Sequence, residues 1–488
     1  MTPDYLTLAR ALRPEAALVG GALLVLLQDL VSGRGRSASS RQGVASAVGL
    51  ASVALALWLA LGTGQPGPVF GQVLTLDALA VASRLAILVL TGLTLALLPG
   101  TGRIQNPSEY VAVLLFAAAG FTLMAAAQQL LLAFLALELA SLSLYVLAGF
   151  DRTRPESAEA GLKYFLFGGV SAAFLLFGFS LIYGLTGSIE LPEIAHRLAL
   201  LPPSPLLIVA LVMVLVGFGY KAAAAPFHLW APDVYQGAPA PSAALIASAS
   251  KLAGFTLLTR LLWPGFSAVA GSVLPGVAGT GWMPIVALLS AASLLLGNLG
   301  ALAQGDVRRL LAYSAIAHAG AMLLGVIAAG HGPGPVYFYA ATYGLATVGA
   351  FGVIGVVAQA GRCGPLSDLA GLRHRSPLLA GCLFVFVLSL AGVPPLAGFF
   401  GKFAVFAAAL QLGGLHGYAG WLTLLAIALS AVGLYYYLLI LKQAFVAPTP
   451  PEAKPIRVHP VTAAALLLAG SLIVLLGCAP SLLLSWVG

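Results

Sequence analysis

Two lysines lie within long apolar runs, close to prolines that must interrupt a helix. Lys221 follows a stretch dominated by Leu, Val, Ile and Ala, and Pro226 comes five residues later. In the second half of the chain, Pro394 and Pro395 interrupt a similar run and Lys402 follows them. Proline lacks a backbone N–H, and its ring obstructs the preceding turn. Hydrocarbon tolerates an ammonium and freed backbone groups only where protein or water surrounds them, so both places predict a polar cavity inside the membrane.

Four further titratable side chains lie within apolar runs. Glu138 is the acid at the centre of one run, and Lys163, Lys251 and His318 are bases in others. A buried lysine can release its proton reversibly near neutral pH, and a histidine can pass a proton through its two ring nitrogens. With Lys221 and Lys402, these residues form a candidate proton relay.

Each of these residues also has a structural interpretation. Glu138 could be a hydrogen-bonded carboxylate that never titrates. Lys163 lies only a few residues inside its run, where its long stem could reach the membrane surface. Lys221 and Lys251 could belong to fixed ion pairs, although few acids lie within the runs. His318 could be a neutral imidazole that its neighbours satisfy.

Three polar residues receive no place in the relay. His228 comes two residues after Pro226 and is expected to support the interruption by hydrogen bonding. Arg84 and Arg260 also lie within apolar runs, but arginine stays protonated and cannot relay a proton.

The composition is that of a polytopic membrane protein. Of 488 residues, 60% are hydrophobic and 8% are charged, whereas about a quarter of the residues in a soluble domain are charged. The net charge of +8 is spread over short loops, so nucleic-acid binding is not indicated. Cys363, Cys382 and Cys478 have neither metal-site spacing nor an even disulfide set. The first apolar run, 16–30, lacks a small-x-small cleavage site, so we expect a retained helix.

Apolar runs long enough to cross a bilayer predict an all-α protein with about fourteen transmembrane helices. They lie at 14–32, 43–62, 78–99, 109–127, 129–150, 160–186, 205–224, 240–263, 283–303, 309–329, 335–358, 376–411 (interrupted), 419–442 and 461–486.

The distribution of basic residues between the loops agrees with fourteen spans. Fourteen lie in loops on one side: Arg34, Arg36, Arg41, Arg103, Arg152, Arg154, Arg308, Arg309, Arg362, Arg373, Arg375, Lys442, Lys454 and Arg457. Three lie on the other side: Arg10, Arg13 and Arg197. Cytoplasmic loops carry the excess of Lys and Arg, so we expect both termini on the outer side of the membrane.

The two interrupted spans predict an internal repeat. If spans four to eight and nine to thirteen are two repeats, their odd number inverts the second, and span seven corresponds to span twelve. Interrupted helices at corresponding positions mark the transport site of such proteins. The expected divisions are an N-terminal three-helix segment (1–105), a first repeat (106–263), a second, inverted repeat (264–443), and a loop with a C-terminal helix (444–488).

Three motifs carry a family resemblance. They are KAAAAPFHLWAPDVYQGAPAPSAALIASASK, NLGALAQGDVRRLLAYSAIAHAG and GVPPLAGFFGKF. They closely resemble the antiporter-like membrane subunits of NADH:quinone oxidoreductase, respiratory complex I, from about residue 70 to 445. The stretch EAGLKYFLFGGVSAAFLLFGFSLIYGLTGS is most similar to subunit N, the homologue of mitochondrial subunit 2. Lys402 argues against subunit M, which usually has glutamate there, and the length leaves no room for the lateral helix of subunit L.

The resemblance implies a fold, a site and partners. It implies fourteen helices with two inverted five-helix repeats, and a proton relay of Glu138, Lys163, Lys221, Lys251, His318 and Lys402 in which Lys163 pairs with Glu138. The chain has no flavin, iron–sulfur or nucleotide motif, so those cofactors and quinone are expected in partner subunits. The expected surroundings are other membrane-arm subunits, including neighbouring antiporter-like ones, in the bilayer of a bacterial cytoplasmic membrane.

The functional hypothesis is a proton-translocating subunit driven by quinone reduction in its partners. The nearest alternative is a subunit of a multisubunit cation/proton antiporter or membrane-bound hydrogenase. A different class is a structural membrane scaffold in which the buried charges only fix helix packing.

Overall fold

The computed structural model describes residues 5–32, 37–62, 67–102, 104–202, 204–274, 281–361 and 364–487. Five residues used above lie outside these ranges: Arg34, Arg36, Arg103, Arg362 and Cys363.

Apolar helices make up most of the described chain. The first half contains α1 (Tyr5–Ala11), α2 (Arg13–Ser32), α3 (Ala38–Leu61), α4 (Ala78–Leu97), α5 (Pro107–Ala126), α6 (Leu130–Ala148), α7 (Pro155–Thr186), α8 (Leu191–Leu200), α9 (Pro205–Ala222) and α10 (Ala231–Gly237). An antiparallel hairpin of β1 (Pro68–Val69) and β2 (Leu74–Thr75) precedes α4.

The second half continues in the same way. It contains α11 (Ala240–Ala247), α12 (Ala249–Arg260), α13 (Trp282–Leu302), α14 (Val307–Ala328), α15 (Gly334–Gln359), α16 (Leu372–Arg375), α17 (Pro377–Ala391), α18 (Ala397–Gln411), α19 (Tyr418–Phe445), α20 (Pro460–Cys478) and α21 (Ser481–Leu484).

The structure confirms the all-α polytopic fold and the number of spans. In the described ranges, thirteen segments are long and apolar enough to cross a membrane. The remaining predicted span is divided into α17 and α18, which have 15 residues each and together cross as the interrupted span twelve. In span seven, α9 alone is long enough to cross, and the short α10 follows the interruption.

Several helix starts follow directly from the sequence. Proline occupies the first turn of α5, α7, α9, α17 and α20, where a missing N–H costs no hydrogen bond. Asp77 caps α4, and Asp306 caps α14 by accepting from the Arg308 and Arg309 backbone N–H groups. These side chains satisfy donors that the first turn leaves free.

Span eight differs from its prediction because it is broken at Ser248, between α11 and α12. No proline or glycine stands there. The Ser248 hydroxyl donates to the Ala244 carbonyl at 2.6 Å, and such back-bonding bends helices. The predicted end of span fourteen at 486 is also wrong, because α20 ends at Cys478 and Pro480 follows.

The core of the molecule lies around α11, α12, α14 and α15, whose apolar segments are almost wholly buried. The helices α2, α3, α7, α13, α19 and α20 surround them and expose large apolar side chains. Lys251 and His318 therefore lie on the most enclosed helices of the chain.

The packing order supports the predicted repeat. In spans four to eight, α5 packs on α6, α7 packs on α9, and α12 returns to α5. In spans nine to thirteen, α13 packs on α14, α15 packs on α17, and α19 returns to α13. The domain boundaries given above stay predictions.

Candidate functional site

The interruption of span seven holds Lys221 at the end of α9. Ala223 has a left-handed backbone, with φ +55°, and ends the helix. The freed Ala225 N–H donates to the Ser293 hydroxyl at 2.8 Å. Lys221 is 6% exposed and lies in the last turn of α9, where the partial negative charge of the carbonyls favours a cation.

A carboxylate and a hydroxyl lie near Lys221. Its ammonium donates to the Ser141 hydroxyl at 3.5 Å and lies 5.7 Å from the centre of the Phe121 ring. Glu138, one turn before Ser141 on α6, interacts electrostatically with Lys221. The Glu138 Oε1 atom is buried and has no hydrogen-bond partner among the described residues.

The expected pair between Lys163 and Glu138 is absent from the structure. Lys163 instead binds Glu159 at 2.6 Å and Asp233 at 2.5 Å, and its side chain is 37% exposed. The next residue, Tyr164, packs on Tyr145, which lies seven residues, or roughly 10 Å along α6, from Glu138. Lys163 therefore lies near the end of its span, and its side chain extends to a more exposed position.

Asp233 on α10 is a polar residue that the sequence analysis missed. It binds Lys163 of α7 through Oδ2 and Arg309 of α14 through Oδ1, the latter at 2.6 Å. The same Arg309 nitrogen donates to Gln236 at 3.0 Å. Asp233 therefore joins helices of the two predicted repeats at the end of the molecule that carries the Arg-rich loops.

Lys251 lies on α12, next to Lys221. The Lys221 stem passes over Gly254, where an added Cβ would contact it at 3.2 Å, and Gly254 is one turn from Lys251. The Lys251 ammonium donates to the Ala315 carbonyl and lies 5.3 Å from the centre of the Tyr343 ring. It is 3% exposed.

His318 lies on α14, one turn beyond the carbonyl that binds Lys251. Its Nδ1 is 2.6 Å from the Tyr339 hydroxyl, and its Nε2 is 3.0 Å from the Tyr437 hydroxyl. The Tyr437 hydroxyl also contacts the Ser314 hydroxyl. Both ring nitrogens therefore have partners that can donate or accept a proton.

The interruption of span twelve holds Lys402 by a comparable arrangement. The Lys402 ammonium donates at 2.9 Å to the carbonyl of Ala391, the last residue of α17. Gly392 follows with φ +86°, and an added Cβ would contact the Lys402 side chain. Pro394 and Pro395 lie between the two half-helices, and the Ser389 hydroxyl accepts from the Gly398 N–H at 3.2 Å.

A small cavity joins His318 to Lys402. Its volume is about 20 Å³, and its lining includes Tyr339, Tyr436 and Asn298. This volume and these polar groups are sufficient for one water molecule. The structure therefore places Glu138, Lys221, Lys251, His318 and Lys402 in consecutive proximity and leaves Lys163 outside that line.

The two arginines that were left out of the relay bind carboxylates, whereas His228 leaves one ring nitrogen without a partner among the described residues. Arg84 binds Glu15 at 2.6 Å, with both side chains buried, so the sequence analysis overlooked an acid within span one. Arg260 binds Asp77 through two hydrogen bonds of 2.7 and 2.8 Å. His228 is buried beside the span-seven interruption, and its Nδ1 has no partner among the described residues.

This arrangement can bind and pass protons. The described residues include no group of three or more His, Cys, Asp and Glu side chains that could hold a metal ion. The line consists of a carboxylate, amines, an imidazole and hydroxyls, each of which can bind and release a proton.

Comparisons with known proteins agree with this chemistry. A family described as NADH:quinone oxidoreductase/Mrp antiporter, TM, matches residues 127–435. NADH-quinone oxidoreductase subunit N 2 of Acidobacterium capsulatum is 46% identical over 497 residues, which cover 99% of each chain. A chain of respiratory complex I from Thermus thermophilus with bound aureothin is 37% identical, covers 97% of this chain and 100% of its own, and has a TM-score of 0.79.

A more distant structure shares the fold. A chain of the membrane-bound sulfane sulfur reductase, an archaeal respiratory membrane complex, is 23% identical with a TM-score of 0.84. The alignment covers 99% of this chain and 96% of that one.

Interrupted helices around a buried line of lysines define an antiporter-like membrane subunit. The similarity over nearly the full length is more specific. The chain belongs to the NADH:quinone oxidoreductase/Mrp antiporter family and, within it, to subunit N of NADH-quinone oxidoreductase, as the sequence motifs predicted.

Proposed function

We propose that this chain is a proton-translocating membrane-arm subunit of NADH:quinone oxidoreductase. The observation that carries the proposal is the succession of neighbouring titratable side chains from Glu138 through the buried Lys221, Lys251 and His318 to Lys402. An ionised group at the centre of a bilayer costs at least about 2.5 kcal/mol on insertion scales. Several such groups side by side are therefore retained for a function that uses their charge.

In the proposed cycle, a proton taken up by Lys221 from the cytoplasmic side passes through Lys251 and His318 to Lys402. It then leaves on the outer side. The charge of Glu138 stabilises the protonated form of Lys221. A change in the local field, arising from quinone reduction in partner subunits, releases the proton by favouring one charge state over the other.

The proposal extends to the assembly. Redox chemistry, with flavin, iron–sulfur clusters and quinone, belongs to partner subunits, and this chain contributes to catalysis as a non-redox subunit. Its partners are other membrane-arm subunits, including neighbouring antiporter-like ones, in a bacterial cytoplasmic membrane. Both termini lie on the outer side. Lys163, bound to Asp233, is proposed to act at the cytoplasmic end of the relay rather than as the partner of Glu138.

The first prediction is that Lys221→Ala, in an assembled complex in proteoliposomes, lowers proton translocation at least about tenfold, as expected when a relay base is removed. Lys442→Ala is the matched control, because Lys442 is exposed at the end of α19. The measurement is proton uptake per NADH oxidised, together with the quantity of assembled complex.

Two outcomes would contradict the proposal. Normal proton translocation by a fully assembled Lys221→Ala complex would exclude the relay. Poor assembly with normal turnover per assembled complex would instead support the alternative of a structural membrane scaffold, in which the buried charges only fix helix packing.

A further inference from the structure

A cavity on the Arg-rich, proposed cytoplasmic side of the molecule opens into the first repeat. Its volume is about 480 Å³, and it lies between the segment before α5 and the loop after α6. Gln105, Asn106, Glu109 and Arg152 give it a polar lining. Tyr145 is the lining residue of α6 that lies furthest from the loop. An open cavity with a partly polar lining therefore extends from the surface to Tyr145.

The side chain of Tyr145 leads from the cavity towards the interior of the first repeat. Side chains of a helix lean towards its N-terminus, and the N-terminus of α6 is at the opposite face of the membrane. The Tyr145 hydroxyl accordingly lies beside the hydroxyls of Ser141, one turn deeper, and Tyr220. Ser141 accepts from the ammonium of Lys221 at 3.5 Å. Two hydroxyls thus connect the end of the cavity to the relay.

The backbone of α7 makes room for this arrangement at Gly168. A Cβ at that position would overlap the hydroxyls of Tyr145 and Tyr220. Tyr220 donates its own proton to the Tyr164 carbonyl at 2.7 Å, which leaves its oxygen free to accept from Tyr145. Tyr220 is therefore a positioning residue, and Tyr145 is the group that faces both the cavity and Ser141.

We propose that Tyr145 and Ser141 carry protons from this cavity to Lys221. The inference rests on the proposed function. When Lys221 is neutral, the Tyr145 O–H turns from Tyr220 to Ser141. Ser141 then gives its proton to the amine and receives that of Tyr145, and Tyr145 recovers a proton from water in the cavity. One proton enters from bulk water and one arrives on Lys221, so neither hydroxyl changes its protonation state.

The test compares two buried tyrosines on neighbouring helices in the assembled complex. Tyr145→Phe keeps the ring and removes the relay hydroxyl. Tyr110→Phe is the control, because it also removes a buried hydroxyl bound to a serine, here Ser242 at 2.6 Å, away from the line. Tyr145→Phe is expected to slow proton translocation at least about tenfold. Tyr110→Phe is expected to stay within about twofold of the natural protein.

A second pair of variants keeps the inference testable if Tyr145→Phe does not assemble. Ser141→Ala removes the hydroxyl, and Ser141→Thr retains it. The alanine variant is expected to slow translocation, with a rate that recovers as the cytoplasmic pH falls, because protons must then reach Lys221 without the relay. The threonine variant is expected to keep both the rate and the natural pH profile. A merely structural role of Ser141 would not change the pH profile.

The outcomes separate this inference from the proposed function. If Lys221→Ala stops translocation while Tyr145→Phe and Ser141→Ala translocate normally, the inference is wrong and the proposed function stands. If Lys221→Ala translocates normally in the assembled complex, both are wrong.

Discussion

Two buried arginines differ from three lysines in the oxygens that they bind. The two arginines bind carboxylates: Arg84 binds Glu15, and Arg260 binds Asp77. Lys221, Lys251 and Lys402 bind neutral oxygens, which are the Ser141 hydroxyl and the carbonyls of Ala315 and Ala391. A neutral oxygen satisfies an N–H without fixing a positive charge as a carboxylate does. The arginines are therefore suited to hold helices together, and the lysines are suited to exchange protons.

The pair between Arg260 and Asp77 gives a prediction about stability. Arg260 is 2% exposed on its side chain and Asp77 is 45% exposed. In Asp77→Asn the guanidinium loses its counter-charge, so we expect a loss of about 1–3 kcal/mol in unfolding free energy. Thermal unfolding of the purified complex measures this loss. An unchanged unfolding temperature would show that water satisfies Arg260 fully.

The same pair predicts a pH dependence. Burial alone would raise the pKa of the Asp77 carboxyl, but the hydrogen bonds and charge of Arg260 outweigh burial and leave the pKa below its ordinary value. The stabilisation is therefore complete above the ordinary pKa of an aspartate and is lost as the pH falls through the lowered value. The stability of the Asp77→Asn variant should not show this loss as the pH falls.

Site residues with a signal close by in the sequence could be predicted. Residues whose partners lie far away along the chain could not. Lys221 and Lys402 were found because a charge in an apolar run and a nearby proline are local signals. Tyr339 and Tyr437, which bind His318, were missed because they lie on separate helices, and a tyrosine in an apolar run has no distinguishing local signal. The pairing of Lys163 with Asp233 was also missed, since it spans 70 residues.

At the scale of elements, the interruptions determine where the lysines lie. In span seven the turn after α9 forms at Ala223, an alanine with a left-handed backbone. In span twelve the corresponding turn forms at Gly392, with φ +86°. The left-handed conformation costs an alanine roughly 1–2 kcal/mol relative to its ordinary backbone.

Ala223→Gly should therefore stabilise the protein. The free energy recovered by removing the left-handed strain exceeds the cost of the greater chain entropy of glycine. We therefore expect the unfolding free energy to rise by about 0.5–1 kcal/mol. Ala222→Gly is the matched control, because Ala222 is the last residue of α9 and has a helical backbone. This variant should lose about 0.5–1 kcal/mol of unfolding free energy. Thermal unfolding of the two variants should shift in opposite directions, and a shared direction would contradict this explanation.

The elements themselves were largely predictable. Apolar length defines a membrane span, and the two proline-containing interruptions were identified correctly. The break at Ser248 was not, because no proline or glycine marks it and serines that bind a carbonyl in the same way, such as Ser52 and Ser143, lie in unbroken helices. Many other serines in this chain sit in helices, so the residue type alone does not signal a break.

At the scale of the whole molecule, the proposed orientation gives a labelling prediction. Glu452→Cys lies in the segment between α19 and α20, and Ser481→Cys lies beyond α20, with both positions exposed. In a background free of native cysteines, a membrane-impermeant maleimide should label position 452 only from the cytoplasmic side. It should label position 481 only from the outer side. Labelling of both positions from one side would contradict the proposed topology.

Asp233 has a consequence for how the two halves of the molecule communicate. One carboxylate neutralises a lysine of the first repeat and an arginine of the second, so the strengths of the two contacts are thermodynamically linked. A change that breaks the contact between Lys163 and Asp233 strengthens the ion pair between Asp233 and Arg309. The packing of α10 on α14 then becomes more stable. By reciprocity, a movement of α14 that weakens the ion pair between Arg309 and Asp233 strengthens the ion pair between Lys163 and Asp233. The two changes are linked by the same coupling free energy.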